Sequence, residues 1–341
     1  MLFFLLNALW MNTSVVTKLM PVGIDISKSW VDVAISPTKV KRFSNTVEGF
    51  ADLCRFLPDM AHCVMEATGN YHVALAEYLV SHQIRAAVVN PLRVKRFGES
   101  EKSCRAKTDR ADAKLLYLFA QSKGETLRPY QSSSEAENEL RQLQGVREML
   151  IKQQTAAKNH LESLMVLPRP SKKAVSAAQA QLDTIAKSIK ELEKSIDAAA
   201  EDLAGDAYEH IESIPGIGKT TLAALIAATG GFTRFDSASE FIAFIGTAPG
   251  VLSSGSSVRG SGAIGKNGDP RLRALLYMCA VSASQWNEAC KTFYQRLRAA
   301  NKPVKVAMIA VLNKLIRQVF ALAKSKRAFD QSYHHKTAAA A

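Results

Sequence analysis

From residue 21 to about residue 123, apolar runs of strand length alternate with stretches of helical period. Val22-Gly23-Ile24-Asp25-Ile26 is a short apolar run, residues 30–35 alternate or run apolar, and a basic third strand falls near 40–43. Short connections make these three a meander. Residues 48–57 then read as a helix, 62–65 as a buried strand, 71–82 as a helix, 84–89 as a β-branched strand and 109–120 as a helix. The expected order is β-β-β-α-β-α-β-α.

The pattern changes after residue 132. Leu143, Val146, Leu150, Ala157, Leu161 and Leu164 hold a heptad-like seam until Pro168-Arg169-Pro170 interrupts it. Leu182, Ile185, Ile189, Leu192, Ile196, Ala199 and Leu203 then repeat at 3-4 spacing. This predicts a coiled coil, used for oligomerisation and spacing, or a long helical hairpin within one chain. Farther on, Ser213-Ile214-Pro215-Gly216-Ile217-Gly218-Lys219-Thr220-Thr221 imitates a nucleotide-binding loop, but the required first glycine is Ser213 and no strand of length precedes it. The run fits a tight turn between two helices, as in helix-hairpin-helix modules, whose amides and following helix N-terminus can grip a backbone phosphate. Residues 249–257 are expected to form a Gly/Ser-rich loop that ends on an amphipathic helix marked by Leu272, Leu275, Leu276 and Cys279. A last helix is expected over 305–324, with Val304, Met308, Val311, Leu312, Leu315 and Val319 as its apolar stripe.

The expected division is an apolar extension at 1–20, an α/β domain at 21–125, a coiled coil at 132–205, a mostly helical domain at 206–328 and a disordered tail at 329–341. The opening MLFFLLNALW is too short to span a bilayer and lacks the basic start of a signal peptide, so it reads as an upstream-start extension or a loosely packed arm.

Charge narrows the partners. Lys plus Arg number 44 and Asp plus Glu 31, a net +13, which favours a polyanion. Residues 291–327 carry ten Lys or Arg and no acid. The 5 cysteines form no C-x-x-C pair, which fits a reduced, cytoplasmic, nucleoid-associated protein without structural zinc and without a membrane partner.

Against that basic background the acids stand out. In Lys107-Thr108-Asp109-Arg110-Ala111-Asp112-Ala113-Lys114 two carboxylates three apart share one helix face, flanked by Arg93, Lys95, Arg96, Lys102 and Arg105. An isolated D-x-x-D is more often a salt-bridged solvated helix. Asp25 and Glu66, however, are also acids set on otherwise apolar strands. The strand order is that of a ribonuclease-H-like domain, a mixed sheet with helices on both faces, in which the first and fourth strands are neighbours. Asp25 and Glu66 can therefore meet, with Asp109 and Asp112 arriving from the last helix. Carboxylates kept ionised inside a basic surface suit Mg²⁺-dependent phosphodiester chemistry, in which the acids hold the ion and the cations hold the polyanion. In the second half the Gly/Ser loop interleaves hydroxyls with Arg259, Lys266 and Arg273. It is a flexible linker, or a serine held against phosphate with cations stabilising the transition state.

Taken in order, several motifs resemble the DEDD transposases of the insertion-sequence-110 family, relatives of the Piv DNA invertase. They are Gly23-Ile24-Asp25-Ile26-Ser27-Lys28, Met65-Glu66-Ala67-Thr68-Gly69-Asn70-Tyr71, Asn90-Pro91 and Lys107 to Ala113. Ile214-Pro215-Gly216-Ile217-Gly218, Gly246-x-x-Pro249, Ser254-Gly255, Lys266-x-Gly268 and Leu272-Arg273 continue the series. The resemblance implies a RuvC-like domain whose tetrad Asp25, Glu66, Asp109 and Asp112 binds Mg²⁺. It implies a second domain whose serine, matched by Ser254 with Ser253 as the adjacent alternative, forms a covalent phosphoserine link to DNA. Phosphate contacts fall to Lys107, Arg110, Arg259, Lys266 and Arg273. The resemblance further implies a homotetramer built from dimers, with composite sites shared between protomers. Donor and target DNA are then selected by pairing with a structured non-coding guide RNA. Two other readings of the residues stand beside this one: a junction resolvase or nuclease in which water attacks, and a non-catalytic nucleic-acid-binding protein.

Overall fold

The computed structural model describes residues 19–67, 69–100, 108–254, 258–265, 268–325 and 327–331, with backbone alone at 249–254 and 258–263. Lys107, Lys266, the apolar extension through residue 18 and the tail from residue 332 lie outside the described residues. The chain divides into two compact units, Met1–Ser132 and Ser133–Ala341.

The first unit is built on a sheet of β1 (Met20–Ile26), β2 (Trp30–Ala34), β3 (Val40–Ser44), β4 (Ala61–Glu66) and β5 (Arg85–Val89). Its order is β3-β2-β1-β4-β5. The meander pairs antiparallel, whereas β1–β4 and β4–β5 are parallel. Helices α1 (Val47–Phe56), α2 (Val73–Ser81), α3 (Pro91–Ser100) and α4 (Asp109–Lys123) cover it.

Period-2 alternation sorts the side chains. Val22, Ile24, Ile26, Val31, Val33, Phe43, Cys63 and Met65 join one buried cluster with Phe50 and Leu53 of α1 and Leu75 and Leu79 of α2. The intervening residues Gly23, Asp25, Asp32, Arg42, Val64 and Glu66 therefore face the other way. There Val64, Ala87 and Val89 pack with Val94 of α3 and Leu115, Leu116, Phe119 and Ala120 of α4. Helix α3 is absent from the sequence reading because Arg93, Lys95 and Arg96 break up its apolar repeat. Its start is nevertheless well specified: Pro91 occupies the first turn and Asn90 Oδ1 accepts from the Leu92 amide at 2.8 Å. Phe97 then meets Phe119 edge to face at 5.4 Å.

One buried polar group of this sheet has a stability consequence. His62 in β4 is 2% exposed, and its buried Nε2 has no hydrogen-bond partner among the described residues. Burial, reinforced by the positive charge of its cross-strand neighbour Arg85, depresses the imidazole to about 4. The folded chain keeps His62 neutral, whereas the unfolded chain protonates it below about 6.5. Stability is therefore complete above that value and falls as pH drops toward 4, by roughly 3 kcal/mol in total. Chemical denaturation at pH 7 and pH 4 should show this loss in the wild type and a smaller one in His62→Leu. Equal losses in the two proteins would remove His62 as the cause.

The second unit opens with two long helices, α5 (Glu135–Met165) and α6 (Lys172–Ala204), which pack along one another. Arg147 of α5 bonds Glu193 of α6 at 2.5 Å. The break between them falls at the prolines, and α5 begins on a capping box in which Ser134 and Glu137 satisfy each other's amides. Helices α7 (Asp206–Glu212), α8 (Lys219–Thr229), α9 (Ala238–Ile245), α10 (Pro270–Trp286), α11 (Glu288–Ala299) and α12 (Val304–Ser325) enclose the core. Gly216 in the α7–α8 turn has φ +104, and a Cβ there would come within 2.8 Å of Ala283 on α10. Thus Pro-Gly-Ile-Gly serves as a tight turn between helices. By length and composition α12 could cross a membrane, but Val311, Leu312, Leu315, Ile316, Val319 and Phe320 bury it in this core.

The expected Gly/Ser loop is corrected. Its backbone forms an antiparallel hairpin of β6 (Pro249–Ser254) and β7 (Val258–Ile264), with a register shift between Pro249 and Val251. Glycine and serine hid this because neither supplies the β-branched alternation by which strands are recognised.

Candidate active site

Asp25 is the next-to-last residue of β1, and Glu66 ends β4. Because these strands are parallel neighbours with Ile24 opposite Met65, both acids sit at the same end of the sheet, on the face that α4 covers. Asn45 ties the turns beyond these strands together, its Nδ2 donating to Ser27 O at 2.9 Å and Tyr71 O at 3.4 Å.

Helix α4 brings the other pair. Thr108 caps it by accepting from the Ala111 amide at 3.2 Å, which places Asp109 and Asp112 in the first turn. There the helix dipole favours anionic side chains. What brings this turn to the sheet is Gly23. A Cβ at that position would lie 2.1 Å from Tyr117 N and 2.3 Å from Ala113 O, so only glycine lets the backbone of α4 rest directly on β1.

The electrostatics report the convergence. Asp25 is raised to about 6, first by burial and then by the negative charges of Asp112, Asp109, Asp32 and Glu66. The charges of Glu66, Asp109 and Asp112, three of the acids singled out in the sequence, thus all reach the fourth, Asp25, and that of Asp32 joins them. Asp32 lies directly across from Asp25 on β2, is 2% exposed, and went unnoticed although it is also an acid on an apolar strand. Like charges directly opposite in a sheet repel, and Arg42 provides compensation. From the facing position on β3, its Nε donates to Asp32 Oδ1 and Oδ2 at 3.1 Å each. Its Nη2 donates to Asp32 Oδ2 at 2.6 Å and to Asp109 Oδ2 at 2.8 Å.

The donor set consists of carboxylate oxygens, which suits a hard divalent cation. Their mutual field on a half-buried Asp25 is the condition such an ion relieves. Among the described residues, no three of these side chains are drawn together closely enough to hold an ion as they stand. Asp109 is instead turned to Arg42. An open cavity of about 510 Å³ lies beside them, lined by Arg42, Thr108, Asp109 and Arg110.

The second unit places the remaining candidates. Ser254 is the last residue of β6, with Ser253 before it and Arg259 across from Ser253 on β7. The side chains of all three lie outside the described residues. The hairpin's root is held firmly. Thr247 Oγ1 donates to Asn313 Oδ1 at 2.8 Å, and Asn313 Nδ2 donates back to Thr247 O at 3.2 Å. Arg273 Nη1 donates to Ile245 O at 2.9 Å and Gly268 O at 2.8 Å, joining the residues just before and just after the hairpin. That amino group is committed to backbone carbonyls, a role the sequence reading, which offered Arg273 to phosphate, did not contain.

A mixed sheet in this order, with acids at the shared end of its central parallel strands and on the helix laid over them, is compatible with a ribonuclease-H-like DEDD domain, the class that acts on nucleic-acid strands through divalent metal. The IS110 DEDD family model, described as a transposase, matches residues 22–170, and that of the transposase IS116/IS110/IS902 family matches residues 208–295. The pilin gene-inverting protein of Moraxella bovis is 30% identical over 327 residues, covering 92% of this chain and 98% of the relative. That of Moraxella lacunata is 29% identical over 325 residues with the same coverage. An IS110 protein of 43.6 kDa from Streptomyces coelicolor is 30% identical over 112 residues, 33% of this chain and 27% of the relative. The chain belongs to the IS110 family of transposases. It is a DNA recombinase.

Proposed function

We propose that the protein cuts and rejoins DNA through a covalent phosphoserine intermediate on Ser254, with the acid site of the first unit activating the scissile phosphate. The observation that carries the acid site is the raised Asp25, held up by burial and by the charges of Asp112, Asp109, Asp32 and Glu66. Asp25, Glu66, Asp109 and Asp112 would hold Mg²⁺, which supplies charge neutralisation at the phosphate and at the leaving oxygen. Arg110, exposed on the first turn of α4, meets the incoming phosphate.

Ser254 Oγ attacks phosphorus. One P–O ester bond to the DNA forms at the serine as another breaks in the strand, the hydroxyl proton is lost and the leaving oxygen gains one. Because the ester count is conserved, the reverse step rejoins a new strand without ATP. The position of Ser254 at the end of a hairpin whose root is bonded by Asn313 and Arg273 supports this reading, since a nucleophile must be held in place to attack. Arg259, Lys266 and Lys107 remain proposed phosphate contacts.

Guidance by the element's own structured RNA, and a tetramer that presents both acid site and serine to each strand, complete the proposal. Its support is the resemblance together with the net charge of +13, which favours polyanionic partners. The test is to incubate the protein with its element's flanking RNA, donor and target DNA, and look for a denaturation-resistant adduct. The expected outcome is an adduct that maps to Ser254 by peptide sequencing and disappears on chelation with EDTA. Nicked DNA with no adduct at any time would hand the reaction to water.

A further inference from the structure

Arg42 bridges two carboxylates that the tetrad description does not connect. One is Asp32, whose side chain is 3% exposed; the other is Asp109, 58% exposed at the start of α4. The two partners are unequal. Asp32 receives three of the four bonds, through both Nε and Nη2, and is buried on a strand directly opposite Arg42. Asp109 receives one bond, at the exposed end, beside the cavity that Arg42 and Arg110 line. The guanidinium is thus anchored at the Asp32 side and only tethered at the Asp109 side.

We propose that Arg42 is a resident counter-ion of the acid site, holding Asp109 until a divalent cation takes that carboxylate, and then remaining on Asp32 as a positive charge facing the phosphate. The inference rests on the metal-site reading given above. Two like-charged residues, Asp25 and Asp32, stand opposite each other on β1 and β2, with Asp109 and Asp112 close by. A fixed cation among them lets the first unit fold before any ion binds. The same cation must compete with that ion, because a carboxylate oxygen bonded to Nη2 has one lone pair fewer to offer and sits beside a like charge of the incoming metal. Once displaced from Asp109, Nη2 regains a donor at the cavity wall, where an anionic oxygen can use it. Arg42 is therefore a positioning residue for the carboxylates, with a phosphate contact as its second role.

The test uses Mn²⁺ as the probe and the full chain without DNA, titrated calorimetrically, followed by single-turnover cleavage at saturating Mn²⁺ with the complete nucleic-acid substrate. Arg42→Gln removes the competitor but strands the Asp32 carboxylate in the interior. Asp32→Asn/Arg42→Gln replaces the pair by neutral groups of similar shape and guards against loss of fold. Arg42→Gln is expected to bind Mn²⁺ about tenfold more tightly than wild type and the double variant about threefold more tightly. Both are expected to cleave about tenfold more slowly. Arg42→Lys, which keeps the charge but cannot bridge two carboxylates through a fork, should fall between in both measurements. Mn²⁺ affinity unchanged or weakened in both Gln variants overturns the competition, and an unchanged cleavage rate overturns the phosphate role. Should wild type and Asp25→Asn show the same Mn²⁺ isotherm, the metal-site reading itself falls and this inference with it.

Discussion

Alanine at Gly23 is expected to reduce DNA cleavage at least 100-fold while far-ultraviolet dichroism stays largely intact, because most of the helix belongs to the second unit. The added methyl would lie 2.1 Å from Tyr117 N, 2.3 Å from Ala113 O and 2.7 Å from Leu116 C, all of them backbone atoms of α4. Backbone cannot turn aside as a flexible side chain can, so the helix must lift or the strand must bend. Overpacking of this kind costs about 1–3 kcal/mol or more. The functional loss is larger than the stability loss, since Asp109 and Asp112 ride on the first turn of the displaced helix. A displacement of about 1 Å at reacting groups is enough to lose two orders of magnitude in rate. The same lift uncovers Asp25 and moves the charges of Asp112 and Asp109 away from it, so its carboxyl should move down from about 6 toward the ordinary range, observable by carboxyl-resolved NMR titration. Cleavage within fivefold of wild type would show that α4 does not depend on this contact.

Gly23 also shows how unevenly the sequence reveals the site. Asp25 and Glu66 were legible because an acid interrupting an apolar strand is conspicuous in one dimension. The adjacency of β1 and β4 followed from strand order, and the observed sheet order contains it. Asp32 carries the same signature between Val31 and Val33, yet it gains meaning only when the register sets it opposite Asp25 and Arg42. Cross-strand pairing is a three-dimensional fact without a sequence period. Arg42 was for the same reason read only as part of a basic strand. Helix α3 was hidden by its cations, and the β6–β7 hairpin by glycine and serine, whose weak strand preference is overridden by a pinned root at Thr247, Asn313 and Arg273. Local composition could point to a serine of this loop and the resemblance to Ser254, but neither to the strand end on which that residue stands.

Asp25→Asn and Ser254→Ala are each expected to lower strand cleavage on the order of 10⁴-fold, and the double variant is expected to be no slower than either alone. In the phosphoserine mechanism both groups act on one phosphorus in one step, so losing either leaves nothing for the other to accelerate. Independent contributions would instead multiply. The two single variants should nonetheless fail differently. Asp25→Asn removes a negative charge that its neighbours already oppose, so it should bind DNA as well as or better than wild type while losing Mn²⁺ affinity. Ser254→Ala leaves every acid in place, so its Mn²⁺ isotherm should match wild type although no adduct forms. Water as the nucleophile gives a different result, with Ser254→Ala nicking DNA at the wild-type rate and only Asp25→Asn silent. Single-turnover cleavage of the three variants, read beside Mn²⁺ calorimetry, therefore separates a serine recombinase from a hydrolytic nuclease built on the same acid site. The separation rests on which group supplies the attacking oxygen, a question that the acid site alone leaves identical in both mechanisms.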